Sequence, residues 1–221
     1  MPENRVDAED PREIAPRAAM EELFVKSFHD NSRLGNESVS GPGSSLAQTR
    51  EIRRSLPHLL QTIGARSLLD APCGDFNWMQ HVALGVDEYI GVDIVPDIVA
   101  GNQRRYGGKG RRFIGADLTR DDLPEVDVVL CRDCLVHLSY DDIRRALVNF
   151  KRSGSSYLLA TTFIRWQANA DIATGDWRPL NLQFPPFNFP PPIRTVVEGC
   201  TEVGDRYADK SLALWRQGDI A

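Results

Sequence analysis

Residues 66–94 read RSLLDAPCGDFNWMQHVALGVDEYIGVDI. Two short apolar runs stand in this stretch, Ser67–Ala71 and Tyr89–Ile94, and each carries an aspartate near its end, Asp70 and Asp93. Near-continuous apolar runs of this length fit strands covered on both faces. Three more follow at Arg112–Ala116, Val126–Cys131 and Ser156–Thr162. The segments between them carry helix signals. Pro96–Tyr106 has proline at its first position and Gly107 past its end, and in Ser139–Lys151 a capping serine precedes the apolar stripe Ile143, Leu147, Phe150. Strand–helix alternation implies βαβ crossovers and a parallel sheet. Thr195–Thr201 and Ser211–Trp215 are then expected as an antiparallel pair closing a doubly wound, seven-stranded α/β sheet.

Working outward, residues 1–16 hold three prolines and no apolar periodicity, which predicts a disordered leader. Met20, Leu23, Phe24 and Phe28 recur at helical spacing and predict a helix over Ala18–His29. Ser45-Leu-Ala-Gln48 reads as a capping box opening a helix to about Leu56, with Pro57 starting a second short helix that Gly64 closes. Residues 17–64 are thus expected as a helical cap over a sheet domain of residues 65–221, with Gly41-Pro-Gly-Ser-Ser45 as a hinge. Thr49, Arg50 and Arg53 are expected to anchor a ligand carboxylate. Between Pro179 and Pro192 lie six of the fourteen prolines, a loop expected to wall a small-molecule pocket.

Composition narrows the function. Lys+Arg 26 against Asp+Glu 31 gives a net charge of −5, without the basic surplus that phosphate neutralisation requires. Neither a membrane-length apolar run nor a secretory h-region is present, so a cytoplasmic location is expected. Four cysteines in 221 residues make no disulfide framework, and Cys131-x-x-Cys134 lacks the second Cys/His pair a zinc site needs.

In an open α/β sheet, ligands bind beyond the carboxyl ends of the strands at the switch point. The first strand there meets Asp70-Ala71-Pro72-Cys73-Gly74, the second ends at Asp93-Ile94, the third at Asp117-Leu118, and the fourth at Cys-Arg132-Asp133-Cys-Leu-Val-His137. An acid ending the second strand is placed to accept hydrogen bonds from ribose hydroxyls. The first turn holds one glycine where a dinucleotide fingerprint needs three, which favours a nucleoside ligand over a pyrophosphate.

Together LLDAPCGDF, YIGVDI, GADLT and CRDCLVHLS resemble the class I S-adenosylmethionine-dependent methyltransferases, over roughly Arg66–Thr162. The resemblance implies a Rossmann-like fold with an antiparallel last strand and S-adenosylmethionine as cofactor. It assigns cofactor binding to Asp70, Ala71, Pro72, Cys73, Gly74, Asp93, Ile94, Asp117, Leu118 and Arg132, with Asp93 on the ribose and Asp117-Leu118 on the adenine. Pro72 and Phe76 stand where the family has further glycines. His137 is the expected general base and Asp133 its neighbour orienting acceptor or cofactor. Asp133 as a magnesium ligand is disfavoured, because no Asp-Asn pair follows the fifth strand. Asp176, Trp177 and Arg178 offer a charge pair and an aromatic face for the acceptor.

The expected activity is methyl transfer to a hydroxyl or amine of a small polar molecule, with a sugar or secondary metabolite favoured. Modification of RNA, DNA or protein, and a non-catalytic cofactor-binding or assembly role, are the alternatives. Phe184-Pro-Pro-Phe187 is similar to a DNA-methyltransferase motif, but its first residue is Phe instead of a polar group, and it follows the fifth strand.

Overall fold

A computed structural model describes residues 17–34 and 37–220; the expected leader over residues 1–16 lies outside them. Seven strands form one sheet: β1 Ser67–Asp70, β2 Glu88–Asp93, β3 Arg111–Gly115, β4 Val128–Cys131, β5 Tyr157–Phe163, β6 Arg194–Val197 and β7 Lys210–Arg216. Their order is β3-β2-β1-β4-β5-β7-β6. The first five strands pair in parallel, and β7 runs antiparallel to both β5 and β6. This is the Rossmann-like sheet with an antiparallel last strand. The order in which strands are added reverses between β1 and β4, which opens the switch-point crevice.

Period-2 alternation divides the core into two layers. Leu69, Val129, Cys131, Leu158, Ala160, Ala213 and Trp215 face one side. Leu68, Val128, Leu130, Leu159, Leu212 and Leu214 face the other. Helix α2 (Arg50–Thr62) and α3 (Pro96–Tyr106) flank the second layer, and α4 (Tyr140–Arg152) covers the first through Ile143, Ala146 and Phe150. Ser139 caps α4, its hydroxyl accepting from the Asp142 amide at 3.2 Å. The expected long sixth strand stops at Val197, because Glu198 turns its side chain into a buried ion pair and Gly199 takes φ 69°.

Two expectations about the remaining elements are corrected. Pro57 does not start a second helix; it sits inside the single helix α2. An interior proline costs about 3 kcal/mol. The stripe Ile52, Leu56, Leu59, Leu60 spans it, and each buried side chain returns about 1.5–3 kcal/mol, so the continuous helix wins. Ser45 accepts from the Gln48 amide at 3.4 Å, but this closes a turn ahead of α2.

The proline stretch is also placed differently. Among the described residues no helix connects β5 to β6, so the sheet face there needs another cover, and Leu180, Leu182 and Phe189 supply it. The Phe163 amide donates to the Leu180 carbonyl at 2.8 Å and Trp215 Nε1 to the Pro190 carbonyl at 2.8 Å. The stretch is a core-covering segment, and it does not line the main cavity.

Candidate active site

A cavity of about 800 Å³ opens over the carboxyl ends of β1, β2, β3 and β4. That volume lies within the usual range for small-molecule sites. Of the expected cofactor residues, Pro72, Cys73, Gly74, Asp93, Ile94, Asp117, Leu118 and Arg132 line it. Asp70 and Ala71 do not. Asp70 accepts from the Tyr89 hydroxyl at 2.6 Å beneath the cavity floor, and burial pushes its carboxyl up to about 7. Ala71 is buried, with its amide on the Leu130 carbonyl.

The turn after β1 is fixed from below and beside. The Cys73 amide donates to the Val92 carbonyl at 2.8 Å, and Asn102 Nδ2 to the Gly74 carbonyl at 2.8 Å. Gly74 adopts φ 54°, and its amide donates to Asp93 Oδ2 at 3.0 Å while the Val95 amide donates to Oδ1. The Ile94 amide adds to these in favouring the ionised form. Burial pushes Asp93 up to about 6, against those amide bonds. Asp117 Oδ1 accepts from the amide and hydroxyl of Thr119 at 2.9 and 2.7 Å. Its Oδ2 pairs with Arg120 Nε at 3.1 Å, yet accepts no hydrogen bond within the described residues. A buried acceptor of that kind is what an exocyclic amine satisfies. The two carboxylate acceptors and the turn at Gly74 therefore fit an adenosyl ligand.

Beyond β4 the chain turns sharply at Asp133, with φ 52°, its amide tied to Thr161 Oγ1 at 2.9 Å. Four charges meet there. Lys210 Nζ lies 2.6 Å from Asp133 Oδ2 and 3.6 Å from Glu198, and Arg132 lies 3.2 Å from Asp133 and 2.7 Å from Glu198. Burial works against the Asp133 charge, but Arg132 and Lys210 overcome it and hold the carboxyl at about 2. Burial likewise opposes the Lys210 charge, and Asp133 and Glu198 raise it nonetheless.

His137 ends the short helical turn Leu135–His137 and lines the cavity. Its Nδ1 lies 3.0 Å from the Asp176 carbonyl. A carbonyl only accepts, so Nδ1 carries the proton and Nε2 keeps its lone pair. Burial lowers the His137 pKa below the usual 6.5, which keeps the ring neutral near pH 7.

The expected charge pair Asp176–Arg178 is absent among the described residues. Arg178 is buried and donates to the carbonyls of Leu135 and Leu138, each at 2.8 Å, and of Ala170 at 3.2 Å. It clamps the turn that carries His137. Asp176 contributes its backbone carbonyl, and of the three residues only Trp177 lines the cavity.

The other side of the cavity is closed by the N-terminal segment. Helix α1 (Arg17–Arg33) runs past both ends of the expected Ala18–His29 and presents Met20, Phe24 and Phe28. After it, Asp75 accepts from the Ser38 hydroxyl and the Val39 amide, each at 2.9 Å, and the Asp75 amide donates to Ser40 at 3.0 Å. Arg132 then donates to the Gly43 carbonyl at 2.9 Å. Thr49, Arg50 and Arg53 lie away from the cavity. They bond to the Ser45 carbonyl, to Glu51 and to the Leu46 carbonyl respectively.

Sequence reasoning assigned no role to Asp75, Glu198, Tyr207 and Lys210. Lys210 heads an apolar strand, where a lysine that must be buried is a weak signal; nothing local marks Glu198. Among the described residues no helix is long and apolar enough to cross a membrane, and no group of three or more His, Cys, Asp or Glu is arranged to hold a metal.

Residues 68–154 match a family model described as Methyltransferase domain. N-methyltransferase NodS from Bradyrhizobium japonicum WM9 superposes with a TM-score of 0.55 at 16% identity, over 77% of this chain and 96% of that one. Magnesium protoporphyrin IX methyltransferase (ChlM) from Synechocystis PCC 6803 with bound SAM gives a TM-score of 0.50 at 16% identity, over 74% and 82%. The methyltransferase domain of bacterial CtHen1 gives 0.46 at 17% identity, over 53% of this chain and 66% of that one. No curated protein matches the sequence.

Proposed function

We propose that the chain, whose residues 68–154 match a methyltransferase-domain model on a Rossmann-like sheet, uses S-adenosylmethionine to methylate a hydroxyl or amine of a small molecule, a sugar or secondary metabolite being the favoured class. The observation that carries the hydroxyl reading is the 3.0 Å contact of His137 Nδ1 with the Asp176 carbonyl. Bonding to the Asp176 carbonyl leaves Nε2 free to accept a proton from the acceptor.

In this reading Asp93 accepts from both ribose hydroxyls, and Asp117 with Leu118 takes the adenine amine and ring. Pro72, Cys73, Gly74 and Arg132 surround the amino-acid end. When bound, S-adenosylmethionine supplies an electrophilic methyl group on a sulfonium, and sulfur keeps the bonding pair. Asp133 stays ionised, and its charge favours the imidazolium that forms on His137. Of the N-terminal segment, α1 and residues 38–44 act as the cap, while α2 packs into the sheet core: the Asp75 latch and α1 exclude water from the reacting centre.

Calorimetry with S-adenosylhomocysteine, followed by transfer of labelled methyl to a metabolite panel, tests this function. Binding and transfer are expected; no binding at millimolar concentration rejects the reading. Removal of residues 1–45 should leave a folded sheet domain with much weaker cofactor binding.

A further inference from the structure

The half of the cavity beyond His137 is walled by rings. Phe163 at the end of β5, Trp177 and Tyr207 meet edge to face, with centroids 4.9–6.0 Å apart. Trp177 remains 42% exposed and follows directly on the carbonyl that holds His137. Phe24 of α1 lines the same cavity. From these rings and the scarcity of free polar groups between them, we propose that the acceptor is a planar aryl hydroxyl compound, methylated on its phenol-type oxygen. This rests on the methyl-transfer reading above.

Two further observations support the choice over a sugar. Buried hydroxyls need partners, and the charged groups in this half are already engaged. Lys210 and Asp133 hold each other at 2.6 Å, and Arg178 holds backbone carbonyls. Ser27 and Asn31 of α1 donate to the Leu23 and Val39 carbonyls, and Glu202 takes the Cys200 thiol at 3.7 Å; with His137 Nε2 and the Tyr207 hydroxyl this leaves enough for one or two acceptor oxygens and too little for a ring of hydroxyls. A flat aromatic face, by contrast, is matched by Trp177 and Tyr207 in offset or edge-to-face contact.

The second observation is acidity. A phenol titrates near 10, as tyrosine does, whereas an aliphatic hydroxyl is nearly as weak an acid as water, near 15.7. Burial lowers the basicity of His137, which suits the more acidic partner. The phenolic oxygen gains the methyl carbon, the cofactor sulfur retains the bonding pair, and the hydroxyl proton passes to Nε2 and on to solvent.

The full chain, saturated with S-adenosylhomocysteine, is titrated calorimetrically with naphthol, catechol, umbelliferone and methyl glucoside. The same compounds are then incubated with methyl-labelled S-adenosylmethionine. At least one aryl compound should bind and yield a labelled aryl ether, and the glucoside should do neither. Trp177→Ala should weaken aryl binding about 10-fold, equivalent to one lost aromatic contact, with S-adenosylhomocysteine affinity unchanged. Trp177→Phe should retain most of it. If S-adenosylhomocysteine binds but no aryl compound binds or is methylated, or the glucoside is preferred, the inference fails alone. If S-adenosylhomocysteine does not bind, the methyl-transfer reading fails and takes the inference with it.

Discussion

On the β1–β3 side of the cavity each acid is held by amides close to it. Asp93 takes those of Gly74 and Val95, and Asp117 takes that of Thr119. On the β4–β7 side, apart from the Arg132–Asp133 pair, the side chains are held by distant segments. Asp133 meets Lys210 from β7, Arg132 meets Glu198 beyond β6 and Gly43 ahead of α2, and His137 meets the Asp176 carbonyl. The first half is preorganised by turns. The second is preorganised only by the completed fold, so chemistry there depends on contacts between distant segments.

The largest effect should fall on that second half. His137→Gln should lower kcat by about 10²–10⁴ with cofactor affinity unchanged, since a general base contributes on that scale. The base works when neutral, and burial depresses its folded pKa. Wild-type activity should therefore be lost only as pH falls below about 6.5, a limb absent from the variant. A variant with full turnover would reduce His137 to a packing residue.

On the first half, Asp93→Ala should weaken S-adenosylhomocysteine binding by about 1–3 kcal/mol, the scale of charge-assisted bonds to two hydroxyls. Circular dichroism should show the fold retained. Unchanged affinity in a folded variant would remove the ribose assignment and, with it, the contrast between the halves.

Asp75→Ala probes the strap joining them. Loss of two or three hydrogen bonds, each contributing about 0.5–1.5 kcal/mol net, should speed cofactor release roughly 10-fold in stopped-flow. Equal release rates would show that the 38–44 segment does not gate the cleft.

The smallest effect is a slope. Asp70 rises from 3.8 in the unfolded chain to about 7 when folded, so the folded state binds the extra proton between those values. Its contribution to stability is present at low pH and is lost as pH rises from about 4 to about 7, at no more than about 1.4 kcal/mol per unit. Asp70→Asn should flatten urea midpoints across that window. An unaltered slope would locate the proton elsewhere.

The same contrast explains what the residues disclosed in advance. Strand ends and α3 follow from apolar runs and from Pro96 and Gly107, all local signals. The acids at 93 and 117 follow from standing at those ends. Arg178 looked like a substrate contact because a guanidinium is usually spent on an anion; here it is spent on three carbonyls that only the folded 135–138 and 168–170 segments bring together. Pro57 misled for a related reason, since the tertiary stripe across it outweighs the local penalty. Lys210 was hidden in an apolar strand because its counter-ions lie 12 and 77 residues away in sequence, at Glu198 and Asp133.

The four-charge joint of Arg132, Asp133, Glu198 and Lys210 sums to zero and is largely buried. Removing one member leaves a buried charge without its partner, at a cost of about 3–5 kcal/mol. Single substitutions at these positions are therefore nearly closed to the chain, while concerted apolar replacement of the set is open to the fold at the expense of the cavity roles of Arg132 and Asp133. In a combinatorial library the four should be recovered together or exchanged together, and segments grafted from other enzymes around β6 and β7 should be accepted only when they bring their own matching charges.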